Sequence, residues 1–274
     1  MARKNDLLSE DYFMATTNHI NLLTQTPCAA LQPFVRRFLV VESTTEHRDA
    51  HLPDIGMVAA FCFQGACQLD SGRQAPRAAL TGLWDTLRTH VHSQDHAVVI
   101  VSFTTTGAAA LLRQPLHEFA NTTTDLAAVL GYPAGLDRLH DRLAVATNHE
   151  QRIRLVEELL LGQAANSQLD LEIAGAVALI EQTEAMLRIE DLARQVGLSQ
   201  SALERRFRYW VGVSPRKFAS LIRLKNVVKL QARGADLTTI AHGAGYYDQA
   251  HFIKDFKRFT GLAPGSFFAR SAAN

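Results

Sequence analysis

One pattern, written twice in the last third of the 274-residue chain, limits what the chain can fold into more than any other feature. In the first copy Ile189, Leu192, Ala193 and Val196 recur at helical spacing, Gly197 and Ser199 follow, and Leu203 and Phe207 resume the period. In the second, which begins at Leu237, Ile240, Ala241 and Ala244 precede Gly245, Asp248 stands in place of the serine, and Phe252, Phe256 and Phe259 follow. Glycine suits the positive φ of a tight turn, and a serine or aspartate side chain accepts hydrogen bonds from the free N–H groups that open a helix. Each copy therefore predicts a helix, a turn and a second, capped helix around one small core. Between the copies, from Pro215 to about Arg233, the residues Phe218, Leu221, Ile222, Leu224, Val228 and Leu230 predict one long helix. Ile173, Val177 and Ile180 line a further helical stripe, so the chain reads as all-α from Leu169 to Pro264.

Residues left over from these cores point outward. They are Gln200, Ser201, Glu204, Arg205 and Arg208 in the first copy and Gln249, His251, Lys254 and Lys257 in the second. Such side chains suit base edges and phosphates. The charge agrees: residues 1–167 carry 13 Lys+Arg against 17 Asp+Glu, residues 168–274 carry 15 against 10, and from Met186 onward the balance is 15 against 6. A basic block of that kind has the sign required to neutralise phosphates, although a solvated Arg-rich surface has the same sign.

The length fits two domains, and the polar stretch Gln163–Gln168 marks a linker between them. The expected division is a flexible arm over 1–24, one domain over 25–163 and a second over 164–274. No apolar run approaches the roughly 18 residues needed to cross a bilayer, and the first twenty residues lack the apolar core of a signal peptide, so a cytoplasmic protein is expected. Cys28, Cys62 and Cys67 read as reduced thiols, with Cys62 and Cys67 on opposite faces of any regular strand.

From Leu31 to about Thr106 the apolar runs are short and broken by turn residues: Phe34–Val41, Met57–Phe63, Ala66–Leu69, Ala78–Leu83 and Val98–Phe103. That rhythm predicts an antiparallel sandwich or small barrel. Helical spacing follows over Ala108–Leu112, Thr124–Leu130 and one longer segment, Leu136–Leu161, which suits either a dimer seam or packing on its own sheet. The fold class is thus α+β in two domains.

The carboxy-terminal region, from about Leu169 to Phe268, resembles the DNA-binding domain of the AraC/XylS family of bacterial transcription regulators. The resemblance rests on Leu192-Ala193, Gly197-Leu198-Ser199, Leu203-Glu204-Arg205-Arg206-Phe207, Val211-Gly212-Val213-Ser214-Pro215, Arg223-Leu224, Ile240-Ala241, Gly245-Tyr246, Phe256-Lys257 and Gly261-Leu262-Ala263-Pro264. It implies two recognition helices in successive major-groove segments of double-stranded DNA. Those segments lie about 34 Å apart, so either the DNA bends or one helix docks imperfectly. The family's base-reading positions fall on Ser201, Glu204 and Arg205 and on Gln249, Ala250 and Lys254. Ala250 departs by offering only a methyl group, which shifts reading toward His251. Glu204 either accepts from a cytosine amine or orients Arg205 or Arg208. Gln200, Arg208, Arg216, Lys217 and Lys257 are assigned to phosphates, as is Lys225 to phosphate or solvent.

The first domain more faintly resembles the cupin-like sensor domains attached to some members of that family, through Pro33-Phe34-Val35, Leu52-Pro53-Asp54-Ile55-Gly56 and Leu80-Thr81-Gly82. This implies a small-molecule effector, with Phe61, Phe63, Trp84 and Phe103 as pocket candidates unless they are plain core. His90-Val-His92, followed by His96, resembles the HxH of cupin enzymes, but no glutamate follows and the segment reads as a polar loop, so no metal and no cofactor are expected. The resulting expectation is a non-enzymatic regulator, with a homodimer through the first domain and RNA polymerase, for an activator, as further partners. Two alternatives are a metal-dependent cupin enzyme fused to a DNA-binding domain, and a first domain that only dimerises or contacts protein.

Overall fold

The computed structural model describes residues 13–14, 20–232, 239–240, 243–246 and 248–273. Arg233, Leu237 and Ala241, assigned above to the long helix and the second unit, lie outside the described residues. In chain order the strands are β1 (Phe13–Met14), β2 (Ile20–Gln25), β3 (Val35–Ser43), β4 (His47–His51), β5 (Val58–Gln64), β6 (Cys67–Leu69), β7 (Ala78–Thr81), β8 (Arg88–His92), β9 (His96–Phe103) and β10 (Thr123–Asp125). They pair antiparallel into a four-stranded sheet, β1-β4-β8-β6, and a six-stranded sheet, β10-β7-β5-β9-β3-β2. Among the described residues no strand pairing joins the sheets, so the expected barrel is an open pair. Three of the four edge strands, β1, β6 and β10, are two or three described residues long and offer little with which to bridge the sheets.

The helices are α1 (Gly107–Leu112), α2 (Leu126–Leu130), α3 (Pro133–Val145), α4 (His149–Ala164), α5 (Leu171–Gln182), α6 (Ile189–Gln195), α7 (Gln200–Val211), α8 (Pro215–Ala232), α9 (Gln249–Thr260) and α10 (Pro264–Ala273). The segment expected as one helix over Leu136–Leu161 is two, because Ala146 turns the backbone extended and the Asn148 side chain caps α4 by accepting from Gln151 N. Arg152 fastens the corner by donating to the carbonyls of Leu143 and Ala146. The apolar faces of both helices, including Leu139, Leu143, Ile153 and Val156, pack in the domain's own core.

Strand alternation divides the six-stranded sheet. Ala59, Phe61 and Phe63 of β5 and Val99, Val101 and Phe103 of β9 are buried in one core with α1, α3 and α4. Their alternate neighbours Ala60 and Ile100, and Leu39 on β3, face the other way and remain partly exposed. Within the stretch expected as an arm, Phe13–Met14 pairs with β4, and β2 pairs with β3 along its whole length.

The two cores meet. Leu52, Ile55 and Leu83 of the first domain are buried among Phe207, Phe218, Phe256 and Phe259 of the second, and Trp210 packs against both cores. Leu87 N donates to Phe259 O at 2.9 Å, and Lys217 Nζ lies 2.8 Å from Asp85 Oδ2.

Candidate nucleic-acid interface

The second domain builds one device twice. Ser199 caps α7 by accepting from Ala202 N, and Asp248 caps α9 by accepting from His251 N. Gly197 and Gly245 make the turns at φ 70° and 75°, and Gly212 and Gly261 close the two helices in the left-handed region at 93° and 76°. The inward faces are those expected: Leu203 and Phe207 on α7, and Phe252, Phe256 and Phe259 on α9, are fully buried.

The outward faces occupy matching positions. Gln200, Ser201, Glu204, Arg205 and Arg208 on α7 answer to Gln249, Ala250, Ile253, Lys254 and Lys257 on α9. All are exposed except the half-buried Glu204. Gln200, Ser201, Glu204, Arg216, Lys217 and His251 line one groove of about 1240 Å³, together with Arg188, Arg223 and Arg258. Arg205, Arg208, Gln249, Lys254 and Lys257 stand outside that wall. Ile253, 39% exposed on the outward face of α9, was missed in the sequence, where it received neither a core nor an outward assignment.

The charged groups are unequally committed. Arg208 donates to Glu204 Oε1 from both Nε and Nη2, at 3.0 and 2.9 Å, so Glu204 is occupied as an orienting carboxylate. Lys217 is held by Asp85 and lies over the Phe259 ring. Arg206 grips Asp170 with two hydrogen bonds of 2.8 and 2.6 Å and reaches Glu172 at 3.0 Å. Arg205 is exposed and has no ion-pair partner among the described residues.

In the first domain, Phe61, Phe63 and Phe103 sit in the core against the helices, with Arg152 stacked over Phe63. Trp84 lies apart from them, beneath the Arg88 guanidinium. Cys62 and Cys67 are free thiols on strands of different sheets. The segment expected as a polar loop around His90 and His92 is strand β8, because pairing with β4 and β6 on its two sides satisfies its backbone. Its alternate residues face the six-stranded sheet, where the His92 ring lies 4.5 Å from His96; on its own sheet it stacks 4.7 Å from His47 of β4. Burial pushes His90 down to about 3 and His96 to about 4. Burial also disfavours the charged form of His92, but the Asp49 hydrogen bond overrides it and raises that ring to about 9. Asp49 is opposed by burial yet held well below the carboxylate range by His51 and His92.

Residues 192–270 match the family described as Helix-turn-helix domain, and residues 23–125 match a domain of unknown function, DUF6597. An uncharacterized HTH-type transcriptional regulator of Haemophilus influenzae is 28% identical over 120 residues, 43% of this chain and 39% of that protein. The HTH-type transcriptional regulator MtrA of Neisseria gonorrhoeae is 32% identical over 89 residues, 32% of this chain and 30% of that one. The matched stretch thus spans less than half the length of either relative. Both are described as transcriptional regulators. A structure of ToxT from Vibrio cholerae aligns over 93% of this chain and 97% of its own, at 12% identity and a TM-score of 0.43. No described helix is long and apolar enough to cross a membrane.

Proposed function

We infer that this chain, which belongs to the AraC/XylS family of helix-turn-helix transcriptional regulators, binds a specific DNA site through α7 and α9 and regulates transcription there. The observation that carries the reading is the pair of helices each opened by a side-chain cap, each closed by a left-handed glycine and each presenting basic residues at matching outward positions. Arg205 is the base reader of α7, since no ion-pair partner holds its guanidinium among the described residues and its geometry suits a guanine edge. Gln249, His251 and Lys254 serve α9, where Ile253 adds an apolar surface for a thymine methyl group. Ser201 adjoins Arg205 on the reading face, while Gln200, Arg208, Arg216 and Lys257 contact phosphates. Selecting genomic fragments bound by the purified protein, then measuring affinity for the selected and a random duplex at several salt concentrations, tests this reading. Equal affinity for both would overturn it.

The first domain is a small-molecule sensor in this reading. Its support is the space between the sheets, where Leu39, Ala60 and Ile100 stay partly exposed on central strands whose opposite faces are closely packed. That space, rather than the core around Phe61, Phe63 and Phe103, is the place for an effector.

A further inference from the structure

Three neighbouring strands set side chains in rows. The register of β4, β8 and β6 puts His47, His92 and Cys67 side by side in one row and Asp49, His90 and Leu69 in the next. His51 and Arg88 form a third row. Alternate residues share a face, so all of them look into the inter-sheet space. Ligand-capable atoms of Cys67, His90 and His92 lie within 4.8 Å of one another, as do those of His47–Asp49–His92 and Asp49–His51–His90.

Asp49 decides among these triads. Its Oδ2 is already held by His92 Nε2 at 3.1 Å and by His51 Nε2 at 3.2 Å. His92 therefore keeps Nδ1 for other use: that atom is buried and makes no hydrogen bond of ordinary geometry among the described residues, while the Cys67 thiol lies close enough to interact with the ring. A carboxylate on one imidazole nitrogen and a metal on the other is the usual way a ligating histidine is oriented. The Cys67–His92 row is also the one farthest from the buried Arg88, whose charge repels a cation.

We propose that Cys67 Sγ, His90 and His92 Nδ1 bind a borderline-soft divalent transition-metal ion, zinc by preference, with Asp49 as the carboxylate behind His92. One thiolate and two imidazoles suit zinc and its neighbours in the first transition row, whereas hard cations require a cage of oxygens that these residues do not supply. Three protein ligands leave a fourth position for solvent or a small molecule. Ligation releases the protons of the Cys67 thiol and of His92 Nδ1.

The test uses untagged full-length protein, stripped with chelator and titrated with Co²⁺. The expected result is saturation at one ion per chain with a thiolate-to-cobalt charge-transfer band, which Zn²⁺ then displaces. Cys67→Ser and Cys67→Ala lose the band, His90→Ala weakens binding, Cys62→Ser leaves it intact, and Asp49→Asn lowers affinity about 10–100-fold. Circular dichroism confirms that each variant is folded, and the two Cys67 variants serve as alternates for each other. Absence of saturable binding overturns the proposal, and so does a band that survives loss of the Cys67 sulfur.

Discussion

Two arginines one position apart, Arg205 and Arg206, show how little a residue type says about its role. Arg206 turns back to Asp170, which is 7% exposed and also caps α5 by accepting from Ile173 N. One aspartate thus starts one helix and ties the recognition helix to it. Charge-assisted, partly buried hydrogen bonds of this kind contribute about 2 kcal/mol, so Arg206→Ala should lower unfolding stability by about that much in urea titrations. Arg208→Ala breaks a pair open to solvent at both ends and should change stability by less than about 0.5 kcal/mol. Arg205→Ala should leave stability unchanged and weaken the selected site by about 1–3 kcal/mol while sparing random DNA; equal losses on both duplexes would remove it from base reading. Lys257→Ala should weaken both duplexes alike and reduce the salt slope by about 0.9.

At the scale of elements, the recognition helices owe their length to their ends. Ser199 and Gly212 bound α7 as Asp248 and Gly261 bound α9. Ser199→Ala should cost about 1 kcal/mol. Gly261→Ala, at a positive φ with open space around it, should cost about 1–2 kcal/mol from backbone strain alone. A thermal scan of each variant measures both, and no change for Gly261→Ala would mean the helix end relaxes. These ends were legible in the sequence because caps and turn glycines are local chemistry. The strands β4 and β8 were not, since His47–His51 and Arg88–His92 are polar and resemble loops until their cross-strand partners are known. The break between α3 and α4 was hidden for a related reason: apolar spacing continues across it, and only the cap at Asn148 marks it. The aromatic residues of β5 and β9 were recognised as interior, but which side of the sheet is interior follows from helices placed by tertiary packing.

At the scale of the whole molecule, the domains share surface rather than a flexible link. Trp210, near the end of the first recognition helix, packs against both cores. Trp210→Ala should cost about 2–3 kcal/mol, below the range for a wholly buried tryptophan, and separate one unfolding transition into two. The Asp85–Lys217 pair contributes little stability, being partly exposed at both ends. Asp85→Ala should instead release Lys217 to the phosphates, tightening binding to random DNA and steepening its salt slope by about 0.9; an unchanged slope would show that Lys217 does not reach the duplex.

The short loop before β8 touches the connecting helix and the second reading unit at once, through Asp85 on Lys217 of α8 and Leu87 on the last turn of α9. Its next residue is Arg88, the first of the strand that carries His90 and His92. A guest that shifts β8 therefore shifts the loop, and thermodynamic reciprocity then applies: the factor by which the guest alters affinity for the operator is the factor by which the operator alters affinity for the guest. Titrating one partner in the presence and absence of the other measures the same quantity from either end of the strand.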